Sequence, residues 1–275
     1  MKNWTRILQI MDSSMETPLP YGWFHLLCLG ITLVSSVLLA LRGEKLRRKI
    51  VVNTVLVVAI VTIVLEIYKQ INFTFGDGSG QPAYQWYAFP WQFCSTPMYV
   101  GLLAGLTRKG KFHDALCAYL ATFALFAGLA VMFYPTTVFV PTIGINIQTM
   151  VCHGGMVVIG VLLLASGHVK VQMRTLLSAF PVFLVMVLSA AIMNEVAYRT
   201  GLLESHTFNM FFISPHCEPS LPVYSLVQNM VPFPWCLVIY ALGFTAAAGI
   251  VLAAAAGIRR LAKGKVTAGA RQMCA

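Results

Sequence analysis

Apolar residues come along this chain in continuous runs rather than at the alternating or three-to-four-residue intervals of a soluble domain. Seven runs stand out, near residues 21–41, 50–68, 91–106, 112–134, 147–166, 175–198 and 233–258. A helix needs roughly 20 residues to cross a hydrocarbon core about 30 Å thick, and backbone left unpaired in lipid is intolerable, so runs this long read as helices. The period-two alternation of barrel strands is absent. The pattern predicts an all-α, polytopic membrane helix bundle with seven transmembrane helices in a single integral membrane domain spanning residues 1–275. The third run is the shortest and holds Pro90 or Pro97 at either possible start.

Composition agrees with lipid as the main solvent. The chain has 275 residues, 58% of them hydrophobic and 10% charged, where a soluble domain carries about a quarter charged residues. A net charge of +10 would suit nucleic acid or an acidic partner, but its distribution is a topology signal instead. Arg42, Lys45, Arg47, Arg48 and Lys49 follow the first run; Arg108, Lys109 and Lys111 follow the third; Lys170 and Arg174 follow the fifth; Arg259, Arg260, Lys263, Lys265 and Arg271 fill the tail. Lys2, Arg6, Lys69 and Arg199 fall on the other side with seven of the nine acids, leaving only Glu44 and Asp114 among the basic loops. Every second connection is therefore basic, which places the N-terminus outside and the C-terminus in the cytoplasm of a multi-pass plasma-membrane protein. Residues 7–11 are too short an apolar stretch for a signal-peptide core, so the first span is expected to be retained.

The outer connections, residues 69–90, 135–144 and 199–232, are longer than the inner ones. They carry Phe73, Phe75, Tyr84, Trp86, Tyr87, Phe89 and Trp91, residues suited to a membrane-interface belt. Residues 76–80 read as a flexible turn and not a phosphate cradle, since no helix opening with Lys-Ser/Thr follows. Seven cysteines at irregular spacing give no metal or disulfide framework, although Cys217 and Cys236 could pair outside. His206 and the His216-Cys217-Glu218 run lack metal-ligand spacing, and His113, Asp114 and His168 read as solvated groups at the inner ends. No cofactor and no metal are expected, and the partners are membrane phospholipids.

Ionisable groups inside spans are costly, so their depth is informative. At 1.5 Å per residue, Cys94 and His153 lie ~20 Å above the inner ends of their spans and His25 and Glu66 ~24 Å above theirs. Four helices thus bring polar groups to one outer level, with Asn194 and Glu195 just above it. Either they line a pocket open to the outer leaflet, or His25, Glu66 and Glu195 merely satisfy one another.

Cys94 and His153 are the pair with chemical meaning, because a thiol needs a base or a positive field to become the reactive thiolate. Two local structures are open for the cysteine. A helix that starts at Pro97, capped by Thr96 or Ser95, directs its dipole at Cys94; one that starts at Pro90 is kinked at Pro97 and frees the carbonyl of Phe93. Gly154 and Gly155, next to His153, allow a neighbouring helix to approach. Gln92 and Asn209 are oxyanion donors by residue type.

The segment Phe89-Pro90-Trp91-Gln92-Phe93-Cys94, the single histidine early in the fifth span, the late segment Phe208-Asn209-Met210-Phe211-Phe212 and His25 resemble the YwaF-type integral membrane proteins. The animal transmembrane protein 164 acyltransferase is related to that family, which also looks similar to androgen-induced membrane hydrolases. The resemblance covers nearly the whole chain. It implies Cys-His acyl transfer on lipids, with Cys94 matching the acyl-accepting nucleophile and His153 its partner. Trp91 and Phe93 stand where small or aliphatic residues are more usual, and Met210 where an aromatic often follows the asparagine.

The leading expectation is therefore a lipid acyltransferase or transacylase, or a lipid hydrolase if water is the acceptor. A transporter or permease would instead show repeated halves, interrupted helices and polar groups at the midplane. In a non-enzymatic scaffold or sensor, the polar layer would be a registry device only.

Overall fold

A computed structural model of the chain describes residues 10–75, 81–135, 138–201, 207–218, 221–228 and 230–272. The turn expected at residues 76–80, His206, Lys2 and Arg6 lie outside them. The helices are α1 (Trp23–Arg42), α2 (Arg48–Phe75), α3 (Thr96–Thr107), α4 (Lys111–Phe133), α5 (Ile143–Ala165), α6 (Met173–Thr200), the short α7 (Pro222–Gln228) and α8 (Phe233–Gln272). Among the described residues there is no strand, only an isolated bridge between Ser14 and Thr142.

Six helices, α1, α2, α4, α5, α6 and α8, are long and apolar enough to cross a membrane. The third predicted span departs from expectation. Its helix has 12 residues, about 18 Å of rise, against a core of about 30 Å; residues 91–95 are not helical. The proline at the start explains the boundary. Helix α3 opens at Thr96 with Pro97 in its first turn, where a missing N–H costs nothing because no carbonyl precedes it in the helix. Of the two local structures open to the sequence, the helix starting at Pro97 is therefore the one formed. Neither expected side-chain cap is made. The Thr96 hydroxyl instead donates back to the Phe93 carbonyl at 3.2 Å and lies 3.1 Å from the Tyr119 hydroxyl.

Helix α3 runs antiparallel to α2. A Cβ on Gly101 would meet Ala59 and one on Gly105 would meet Leu56, so positions climbing α3 descend α2. At the end of this descent Arg48, opening α2, donates to the Arg108 carbonyl at 3.3 Å. The end of α1 meets the end of α5 where Gly43 packs on Ala165, and Arg259 of α8 bonds the Leu164 carbonyl. One face of the bundle thus gathers Arg42, Arg48, Arg108 and Arg259. The opposite face is closed by the segment before α1: Met15 and Ser13 bond Pro141 and Ile143 ahead of α5, and Tyr68 near the end of α2 donates to the Met11 carbonyl at 3.0 Å.

Helices α4 and α5 form the centre. Their spanning windows are 72% and 67% buried, against no more than 33% for the other four, whose exposed Leu, Ile and Val faces suit lipid contact. Close approach of the two central helices requires Gly128 on α4, because a Cβ there would lie 2.8 Å from the His153 carbonyl oxygen and 2.9 Å from Met156 Cβ. Gly154 and Gly155 do what the sequence suggested: the first faces Thr32 of α1, the second Val58 of α2. In the middle of α4, residues Leu120–Ala124 widen into a π turn, a distortion that tends to mark functional stretches.

Gly128→Ala is expected to destabilise the protein by about 1–3 kcal/mol, since its methyl meets backbone that cannot yield. Gly30→Ala, facing open space, should be neutral or stabilising by up to about 1 kcal/mol. Thermal unfolding of both variants in detergent checks the difference.

Candidate functional site

The non-helical stretch entering α3 is fixed residue by residue. Backbone at membrane depth survives outside a helix only where protein or a polar cavity satisfies it. Gln92 offers its carbonyl to the amides of Ser95 and Thr96 at 2.9 and 3.0 Å. The Pro90 carbonyl accepts from the Tyr99 hydroxyl at 3.1 Å, and the Trp91 indole N–H donates to Ser189 of α6 at 2.9 Å. Phe93 enters an aromatic cluster, with ring centroids 4.9 Å from Phe244 of α8, 5.4 Å from Phe211 and 5.6 Å from Phe183 of α6. The large residues at positions 91 and 93 thus brace the turn on which Cys94 sits. Cys94 itself is half-buried and its thiol is free.

Cys94 and His153 line one cavity of about 240 Å3, together with Glu66, Lys69, Gln148, Thr149 and Cys152. Phe73, Tyr87, Val138 and Val140 also line it. His153 is 6% exposed. Its Nδ1 lies 2.7 Å from the Thr149 carbonyl one turn back; a carbonyl only accepts, so the proton resides on Nδ1 and Nε2 carries the lone pair. Among the described residues, Nε2 has no hydrogen-bond partner. Glu66 is 4% exposed and fully engaged: Oε1 accepts from Lys69 Nζ at 2.7 Å and Gln70 Nε2 at 2.6 Å, and Oε2 from Gln148 Nε2 at 3.0 Å. Gln148 reaches Cys152 Sγ at 3.4 Å. A buried ion pair satisfied this fully is compatible with an otherwise apolar chamber.

The remaining candidates are placed elsewhere. His25 is completely buried and does not line the cavity; its Nδ1 accepts from the Tyr21 amide at 2.9 Å and its Nε2 donates to the Met132 carbonyl at 2.9 Å. Both ring nitrogens are occupied, so it pins α1 to the end of α4. Glu195 pairs with Arg199 at 2.5 Å and His216 at 2.9 Å near the end of α6, away from the cavity. The mutual satisfaction of His25, Glu66 and Glu195 that the sequence left open is not made. Cys217 and Cys236 form no disulfide.

Gln92, Asn194 and Asn209 form a clamp. Asn194 takes the Met210 amide at 2.7 Å and gives to its carbonyl at 3.0 Å, Gln92 gives to the Asn209 carbonyl at 3.0 Å and takes the Phe211 amide at 2.9 Å, and the Asn209 side chain takes the Ser214 amide at 2.9 Å. These amides hold the segment 208–214 against the turn carrying Cys94. Gln92 thus spends both a donor and its acceptor on backbone, and the Asn209 side-chain oxygen likewise takes a backbone amide. Phe211 and Phe212 adopt left-handed backbone, φ 58° and 57°, a conformation costing non-glycine residues roughly 1–2 kcal/mol. The clamp and the Tyr240 hydroxyl bond to the Phe211 carbonyl at 3.2 Å hold it.

Lys69, Gln148, Thr149 and Cys152 are site residues that sequence reasoning missed. The signal was present as helical spacing: Glu66 and Lys69 are three apart, and the pairs Gln148/Cys152 and Thr149/His153 are four apart. Asn194→Leu, near in size, is expected to leave the Met210 amide and carbonyl unpaired at about 1–3 kcal/mol each. A lower thermal midpoint and faster maleimide labelling of Cys94 check both its cost and its reach to the turn.

No curated protein and no solved structure matches the chain. A family model does match, that of the TMEM164 family, over residues 20–252. The chain, a membrane protein of apolar helices with a Cys, a His and a buried ion pair around one chamber, belongs to the TMEM164 family.

Proposed function

We propose that the protein is a membrane lipid acyltransferase or transacylase in which Cys94 carries the acyl group and His153 moves the proton. One observation carries the reading: a half-buried thiol and an imidazole whose tautomer is already set for a base share a single chamber. His153 Nε2 takes the Cys94 proton, and the thiolate attacks the ester carbonyl of a phospholipid. Collapse of the tetrahedral intermediate breaks the ester bond, leaving a thioester on Cys94, and the departing lyso-lipid alkoxide takes the proton back from His153. A second lipid hydroxyl, deprotonated at Nε2, then attacks the thioester and restores the thiol. With water as acceptor the same cycle is hydrolysis. The position of Cys94 just ahead of α3 puts it at the positive end of a helix dipole, where negative charge is favoured. Lys69, close by, supplies a cation suited to a phosphodiester.

The proposed topology has seven crossings in the plasma membrane, the third made by the turn at residues 89–95 plus α3, with the N-terminus outside and the C-terminus cytoplasmic. The gathering of Arg42, Arg48, Arg108 and Arg259 on one face supports it, and the chamber then lies towards the outer leaflet. A transporter reading draws on the interrupted third segment.

Purified protein incubated with defined phospholipids, followed by lipid and intact-protein mass spectrometry, tests the mechanism. Wild type is expected to exchange acyl chains and to carry a transient acyl mass. Cys94→Ala should lose both, His153→Ala should slow by roughly 10²–10⁴-fold, and Cys152→Ser should keep activity. Unchanged exchange in Cys94→Ala would sink the mechanism.

A further inference from the structure

On the basic face, away from the chamber at Cys94, His113 and His168, expected to be solvated end groups, meet each other and Cys117. His113 is completely buried, Cys117 is 1% exposed, and His168 is half-buried after the end of α5. His113 and Cys117 stand one turn apart on α4, so their side chains share a face. His113 Nε2 lies 2.8 Å from His168 Nε2 and 3.5 Å from Cys117 Sγ, and the three donor atoms all fall within 4.8 Å of one another. The other nitrogen of His113 is 2.9 Å from the Ala104 carbonyl near the end of α3. That carbonyl fixes the proton on Nδ1 and directs the Nε2 lone pair at the cluster, the outer-shell arrangement that metal-bound histidines use.

We propose that His113, Cys117 and His168 form a metal site for a borderline-soft divalent ion such as Zn2+. The ligand chemistry is nitrogen and sulfur, which excludes Mg2+ and Ca2+ as preferred occupants. With Zn–N of about 2.0 Å and Zn–S of about 2.3 Å, tetrahedral geometry needs N···S near 3.5 Å and N···N near 3.3 Å. The distance from His113 to the sulfur already fits. The two imidazoles must part by about 0.5 Å, a movement available to His168 because it lies outside the helix.

Without an ion, the His168 N–H and the Cys117 S–H converge on the one lone pair of His113. Binding relieves that competition: the thiol proton leaves to solvent, the His168 proton shifts to its Nδ1, and three lone pairs face the cation. Asp114 and Arg48, of opposite sign, are the nearby charges acting on His168. Three protein ligands leave the fourth position for water. The ion would tie the end of α3, the start of α4 and the segment after α5 into one joint on this face.

The test uses the full chain purified in detergent without a polyhistidine tag, stripped by chelator and titrated with Zn2+ alone. One Zn2+ per chain is expected, with affinity falling on the order of 100-fold in His168→Gln and in Cys117→Ser and unchanged in His153→Ala. Co2+ replacing Zn2+ should show a thiolate-to-metal charge-transfer band that Cys117→Ser abolishes. Because the band is read on wild type, it decides even where a variant fails to fold. Absence of stoichiometric Zn2+ binding or of the band in wild type, equal affinity in the ligand variants, or loss of binding in His153→Ala would each overturn the site.

Discussion

The constraint that organises this structure is that backbone buried away from water must find hydrogen-bond partners within the protein. Helices meet it internally; the turn ahead of α3 does not. Its polar groups are met by side chains of the helix it enters and of α6: Tyr99 for the Pro90 carbonyl, Thr96 for that of Phe93, and Ser189 for the indole of Trp91. Around it, Asn194, Gln92 and Asn209 bind the segment 208–214. A cluster of polar side chains at this level therefore serves architecture first. What it leaves is a thiol held at the mouth of a half-length helix.

The contrast between two histidines makes the same point in chemical terms. His25 has both nitrogens committed to backbone, one as acceptor and one as donor, and is inert as a base. His153 has one nitrogen committed, to Thr149, and the other facing a chamber. Both are deeply buried imidazoles in apolar helices. The number of hydrogen bonds, not the depth or the residue type, separates a structural histidine from one equipped to move a proton.

Six of the spans were legible because long apolar runs have one outcome in lipid. The third was legible as an apolar run with two possible starts, since hydropathy records apolar character and is blind to whether residues 91–95 are helical. Counting rise along the helices brought Cys94, His153 and Glu66 to one level, and they do line one chamber. The same count failed for His25, because depth contains no information about which way a side chain faces around its helix, and α1 turns this one to Met132. Gln92 was legible as a polar residue but not as a clamp, because its partners are backbone groups contributed from far along the chain. His113 and His168 were taken for solvated ends; their meeting depends on the tertiary approach of α4 to the segment after α5.

The bracing of the turn at residues 89–95 sets an order on biosynthesis. Its partners include Phe183, Ser189, Asn209, Phe211 and Phe244, all of which leave the ribosome long after Cys94. A nascent chain that has made only its first four helices holds the half-length α3 against α2 but has nothing to fix the turn above it. The thiol therefore acquires its final setting only when the last helix arrives, so the surroundings of Cys94 are completed last although its own segment is made early.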